Sequence, residues 1–210
     1  MGIICAPLTE IVDIPNSTCI EGFGQVQKIA FQNVFDSAGA KNAFTTLAPP
    51  TALASWTTFL TATDLTKVQV TPYLQAPTAE AGAARTFGGG NDTVDGIEII
   101  LGSEPSSFEA MIHRTEQDII SALKQYMNYP NMGVIMFDEK GDILMQVDSI
   151  DTPTEYYPIP ISALFVGDKK LGNYAEPDMN QIMFKMKPNW SDTTKVLRPT
   201  DFNPLTDLAN

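Results

Sequence analysis

Between residues 22 and 187 the chain consists of short segments in which apolar and polar side chains alternate, broken by glycine, proline and asparagine, with one long stretch of helical spacing among them. A period of two puts one set of side chains on each face of a strand, so every such segment needs another layer to cover its apolar face. After Gly22-Phe23-Gly24, residues 25–35 set Val26, Ala30 and Val34 with Lys28 on one side, and Gln25, Gln27, Ile29, Phe31 and Asn33 on the other. Residues 66–71 alternate Val68 and Val70 against Lys67, Gln69 and Thr71, and Pro72 confines that strand to an edge or ends it. Residues 79–87 and 96–101 are extended pieces around Gly88-Gly89-Gly90-Asn91-Asp92, a run suited to a turn or bulge. Residues 133–137 and 142–147 flank Asp138-Glu139-Lys140-Gly141, which predicts a hairpin. The last strands are expected at 159–166 and 181–187, the latter with Ile182, Phe184 and Met186 on one face.

The strong helix is expected directly after Pro105. Ser106 precedes Glu109 by the spacing of a capping box, and Phe108, Ile112, Thr115, Ile119, Leu123 and Tyr126 recur at helical intervals until Asn128 and Pro130. Residues 52–60 suit a short helix presenting Trp56 and Phe59. Strands, one helix, then strands again favour a mainly β fold with one α-helix, a β-sandwich or partial barrel flanked by that helix, over a βαβ parallel sheet.

The ends read differently. Residues 1–21 carry both cysteines and two prolines, and residues 188–210 are punctuated by Trp190, Pro199, Phe202, Pro204 and Leu205. The expected organisation is an N-terminal arm (1–21), a β domain (22–187) with an inserted loop (36–60), and a C-terminal arm (188–210). Such arms are expected to order on neighbouring subunits. The inserted loop is either packed back on its own core or extended onto an adjacent subunit.

Acidic residues outnumber basic ones 25 to 13, a formal net charge of -12. That argues against a surface that grips nucleic acid by neutralising phosphates, and fits either plain solubility or a passage that repels DNA from its walls. No apolar run approaches the roughly 20 residues of a membrane helix, and the start MGIICAPLTEIV lacks the basic region of a secretory signal, so cytoplasmic synthesis is expected.

Signals for chemistry are sparse. His113 is the one histidine, and its place in the expected helix suits a surface residue better than a general base. There is no GxSxG, and the glycine run lacks the spacing and lysine of a phosphate loop. Cys5 and Cys19 form no CxxC; reduced thiols are expected, a disulfide being the alternative. Carboxylates are plentiful, at Asp92, Asp95, Glu98, Asp138, Glu139, Asp142, Asp148 and Asp151, but Asp138, Glu139 and Asp142 bracket a turn, where charged residues are expected, and match no EF-hand. No catalytic residue, metal or cofactor is expected. A ligand- or carbohydrate-binding β domain remains an alternative, with Trp56, Tyr73, Tyr156 and Tyr157 as stacking platforms.

Several blocks together carry a resemblance: the glycine-bounded strand at 25–35, Arg85-Thr86-Phe87-Gly88-Gly89-Gly90-Asn91, the segment 95–148, Leu164-Phe165-Val166-Gly167-Asp168, and the ending with Trp190-Ser191-Asp192 and Asp201-Phe202-Asn203-Pro204-Leu205. The chain resembles the tail tube, or major tail, proteins of tailed bacteriophages. That resemblance implies a structural virion protein, not an enzyme, built into the tail after assembly in the host cytoplasm. Its partners would be copies of itself in stacked, hexameric rings, other tail proteins at the tube ends, and double-stranded DNA in transit without specific binding; no membrane is implied. Other ring components, a terminator or a connector, belong to the same expectation. Inter-subunit contacts would fall on Phe44, Trp56, Phe59, Trp190, Phe202 and Leu205, and the lumen on Gln25, Gln27, Lys67, Gln69 and Glu98.

Overall fold

The computed structural model describes residues 22–208. The expected N-terminal arm, with Cys5 and Cys19, lies outside the described residues. The fold is mainly β, and every ladder is antiparallel. Its strands are β1 (Val26–Asn33), β2 (Phe44–Thr45), β3 (Gln69–Val70), β4 (Gln75–Glu80), β5 (Ala84–Gly88), β6 (Glu98–Ser103), β7 (Ser106–His113), β8 (Met132–Asp138), β9 (Ile143–Val147), β10 (Glu155–Tyr157), β11 (Ile159–Val166), β12 (Met179–Met186) and β13 (Thr194–Leu197). The helices are α1 (Leu53–Leu60), α2 (Gln117–Gln125) and the short α3 (Pro204–Asp207).

Eleven strands form one continuous sheet whose path runs β2, β10, β9, β8, β11, β12, β7, β4, with β1 joining β8 to β3 and β13 added to β9. Strand β11 carries the sheet round from β8 to β12. Its start, at Ile159 and Pro160, pairs with β8, and its remainder, from Ile161, pairs with β12. A register slip between Ser162 and Phe165, where Ala163 takes φ 50, accompanies the change of partner; such irregularities sharpen the bend of a strand.

Inside the fold lies a core in which Ile29 and Phe31 of β1 meet Phe108 and Ile112 of β7, Ile182 and Phe184 of β12, and Ile120 and Leu123 of α2. A second core covers the opposite face of β1, β8 and β9, where Ala30, Ile135, Phe137, Ile143 and Met145 are packed by Phe44, Trp56, Val68, Phe202, Leu205 and Leu208. Strand β8 is therefore buried along its whole length, which explains its unbroken apolar run from Val134 to Phe137.

Two sequence expectations are corrected here. Residues 106–113 are a strand, not the start of a helix, and α2 begins only at Gln117. Phe108 and Ile112 are four apart, a spacing that fits both a helix face and a strand face; Ala110 between them is also fully buried, which only the strand period satisfies. Ser106 and Glu109 consequently make no capping box: the Ser106 hydroxyl accepts from Trp190 Nε1 at 3.1 Å, and Glu109 Oε1 accepts from Gln181 Nε2 at 2.6 Å on the neighbouring strand. His113 ends β7 opposite Met179 and lies on no helix.

The other correction concerns the C-terminal segment. Residues 188–208 dock on the chain's own sheet: β13 pairs with β9, and Phe202, Leu205 and Leu208 close the second core. Asn203 caps α3 by accepting from Leu205 N at 3.0 Å, with Pro204 in the first turn. The expectation of an arm free of its own domain does not hold for these residues, which share with Phe44, Trp56 and Val68 the covering of the outer face of β8 and β9.

Candidate functional site

The β5–β6 hairpin is the one two-stranded sheet among the described residues that stands apart from the main sheet. It extends the β4–β7 ladder outward: Glu80 pairs with Ser107, Glu104 N donates to the Ala83 carbonyl at 2.8 Å, and Ala84 pairs with Ser103. Gly82 sits at the joint, where the backbones approach so closely that a Cβ would lie 1.8 Å from the Glu104 carbonyl oxygen. Outward from there the ladder runs to Gly88 opposite Glu98, and the tip turns through Gly89 and Gly90, with φ of +99 and +57, and Asp95, with φ 63. A Thr93 hydroxyl that accepts from Gly89 N and donates to the Ile97 carbonyl braces the tip.

What the hairpin carries is unusual for a free element. Phe87 is 56% exposed, Val94 88%, Ile97 64%, Ile99 53%, Ile100 72% and Leu101 64%. Phe87 faces Ile99 across the ladder and Thr86 faces Ile100, so apolar side chains stand on both faces. Two-stranded hairpins are at best marginal in water, and a contiguous apolar surface of this kind marks an interaction site. Among the described residues its two outer strand edges pair with no other strand.

The residues expected at subunit contacts lie elsewhere. Phe44 and Trp56 are fully buried in the chain's own second core, with ring centroids 4.7 Å apart, and Phe59 lies 4.6 Å from Phe44. Trp56 Nε1 donates to the Pro50 carbonyl at 2.8 Å, which satisfies its polar group internally. Trp190 packs on the inner core, and Phe202 and Leu205 on the outer one. Their burial is accounted for within one chain. The two extended pieces and the glycine turn expected from the sequence do form this hairpin; what the sequence did not show is its exposure, because the apolar run Ile99-Ile100-Leu101 looks like a core strand and only tertiary structure reveals that no described residue covers it.

The expected lumen residues fall in three places. Gln25 and Gln27 flank the start of β1, Lys67 and Gln69 line a cleft at its far end, and Glu98 belongs to the hairpin. That cleft, about 400 Å³, is walled by Phe31, Tyr126 and Tyr129, and Gln32 beneath it donates from Nε2 to the Thr66 carbonyl while its buried Oε1 has no partner among the described residues. The platforms named for a ligand-binding domain do not assemble: Trp56 and Tyr157 are buried, and Lys28 Nζ lies 4.4 Å from the ring centre of the half-exposed Tyr73.

Among the described residues no three histidine, cysteine or carboxylate side chains gather closely enough to hold a metal ion. Asp138, fully buried, instead organises its turn: it accepts from Gly24 N at 2.9 Å, Lys140 N at 2.9 Å and Asp142 N at 2.8 Å. None of the described helices is long and apolar enough to cross a membrane. The chain matches no family model, and no curated protein matches it in sequence.

Proposed function

We propose that this chain is a self-assembling structural subunit of a phage tail tube, whose rings stack around an acidic channel that lets DNA pass without holding it. The observation that carries this reading is the hairpin: an apolar β arm, exposed on both faces among the described residues, gains stability when another chain packs on it. Support comes also from the edges that so large an antiparallel sheet leaves open, which a closed ring removes, and from a net charge of -12 suited to a wall that repels phosphate. The resemblance of the sequence blocks points the same way.

Negative-stain electron microscopy over a concentration series tests it. Hollow tubes or rings are expected; a terminator or connector would stop at single rings, and a protein that stays monomeric throughout refutes the assembly. The cleft at Gln32 favours a second reading, a small-ligand-binding domain, since it joins three aromatic walls to an unpartnered acceptor. A monomer that gains thermal stability with a planar polar ligand would select that reading instead.

A further inference from the structure

The hairpin tip and one surface cleft have opposite compositions. Residues 89–98 carry Asp92, Asp95 and Glu98 and no lysine or arginine, with Val94 and Ile97 exposed between them. At the end of the domain where β1 and β12 finish lies a cleft of about 470 Å³, floored by Phe35, Pro160 and Ile161 and flanked by Lys41 and Lys187. No carboxylate is found among its described lining residues, and neither lysine makes an ion pair among the described residues. In a chain with 25 acidic and 13 basic residues, a cleft with two cations and no anion inverts the prevailing sign. Lys41 Nζ is held 4.3 Å above the Tyr157 ring. Gln146, at the cleft wall, donates from Nε2 to Thr193 Oγ1 at 2.7 Å while its buried Oε1 has no donor among the described residues.

We infer that the acidic hairpin tip of one copy seats in the Lys41–Lys187 cleft of a second copy, an inference that rests on the self-assembly proposed above. The carboxylates meet the two ammonium groups, and Val94 and Ile97 meet the apolar floor. A chain's own tip is carried away from its own cleft. Met186 pairs with Ser106, so Lys187 lies beside the base of the hairpin, and five ladder pairs separate that base from the tip, about 17 Å at strand rise. Arm and cleft thus occupy the same end of the domain. Tip and cleft are different surfaces, so the contact is head-to-tail and repeats from copy to copy, giving a ring where its rotation closes.

Charge reversal tests this by sedimentation velocity and microscopy on the full chain. D92K/D95K/E98K and K41E/K187E, made separately, are each expected to raise the concentration needed for assembly by about tenfold or more, since like charges then face each other. Combining them is expected to restore assembly, because the pairs re-form with signs exchanged. Reversals without effect, or a folded combined variant that does not recover, overturn the inference. If deleting residues 84–103 abolishes assembly while K41E/K187E leaves it intact, the hairpin docks elsewhere and only this inference falls; a wild-type chain that never assembles removes both it and the proposed function. Should K41E/K187E lose its fold, K41Q/K187Q serves as the milder pair, expected to weaken assembly in the same direction, and unchanged assembly of that folded variant is equally fatal.

Discussion

Lys28 and Leu205, 177 residues apart, are joined by a hydrogen bond of 2.8 Å from the lysine Nζ to the leucine carbonyl oxygen. The ammonium is buried without a carboxylate partner among the described residues and lies over the Tyr73 ring. Burial holds its pKa below the usual lysine value of 10.5. The bond ties β1 to α3 across the second core.

Lys28→Ala strands the Leu205 carbonyl and opens a gap beside Tyr73. A loss of about 1–3 kcal/mol is expected in denaturant unfolding. Lys28→Met fills the space without the charge and is expected to lose less. The pH dependence has a fixed sign. Below the depressed folded pKa both states are protonated and the slope is zero; between it and 10.5 the unfolded chain alone keeps the proton, so stability rises with pH. Wild type minus Lys28→Met, measured across that window, should show the rise, and a flat difference counts against an uncompensated buried ammonium.

Leu208 is fully buried against the outer face of the sheet. Leu208→Ala is expected to cost about 2–5 kcal/mol. Truncation after residue 199 removes Phe202, Leu205 and Leu208 together and should leave a protein that binds a hydrophobic dye and melts without a sharp transition. A truncated chain with unchanged melting would show that α1 alone covers β8 and β9.

At the hairpin joint, Gly82→Ala places a methyl group against the Glu104 carbonyl and forces the backbones apart. The core lies elsewhere, so the melting temperature should shift little. Amide exchange in residues 84–103 should accelerate and assembly should weaken. Unchanged exchange there would mean that the joint relaxes without disturbing the ladder.

Asp148 closes the link from β9 to β10: its carboxylate accepts from the Thr154 hydroxyl at 2.5 Å and from the backbone N–H groups of Thr154 and Glu155 at 2.9 and 3.1 Å. These bonds, the Thr154 hydroxyl foremost, hold its pKa far below the ordinary 3.8. The stability that they supply is full above 3.8 and lost as pH falls toward the depressed value. Asp148→Asn should therefore differ from wild type at neutral pH and converge on it in strong acid. A gap that persists at the acid end would assign the effect to lost packing.

Much of the strand order was legible because alternation survives wherever a strand has one buried and one open face. Residues 133–137 and 142–147, on either side of an Asp-Glu-Lys-Gly turn, form the expected hairpin of β8 and β9, and the expected helix at 52–60 is α1. The failures have local causes. Residues 106–113 offered Phe108 and Ile112 at a spacing common to both periods, and α2 buries Ile120 and Leu123 while Ile119 of the expected stripe is exposed. The fate of Phe202 and Leu205 was hidden because sparse apolar residues among prolines look alike whether they cover their own sheet or a neighbour's. Asn203-Pro204 was the available signal, a helix start that marks an ordered segment. Exposure of the hairpin was not legible at all, since Ile99, Ile100 and Leu101 have the composition of a core strand.

Because β8 is covered on one side by β7, β12 and α2 and on the other by residues up to Leu208, its two faces are sealed at different times during synthesis. Chains emerge N-terminus first. The inner layer is available as soon as β12 has left the ribosome, whereas the outer face of β8 and β9, packed until then by Phe44, Trp56 and Val68, is completed only when β13 and α3 follow. A nascent chain interrupted before residue 197 is thus left with part of that apolar face uncovered, the kind of surface that makes incomplete chains prone to aggregate.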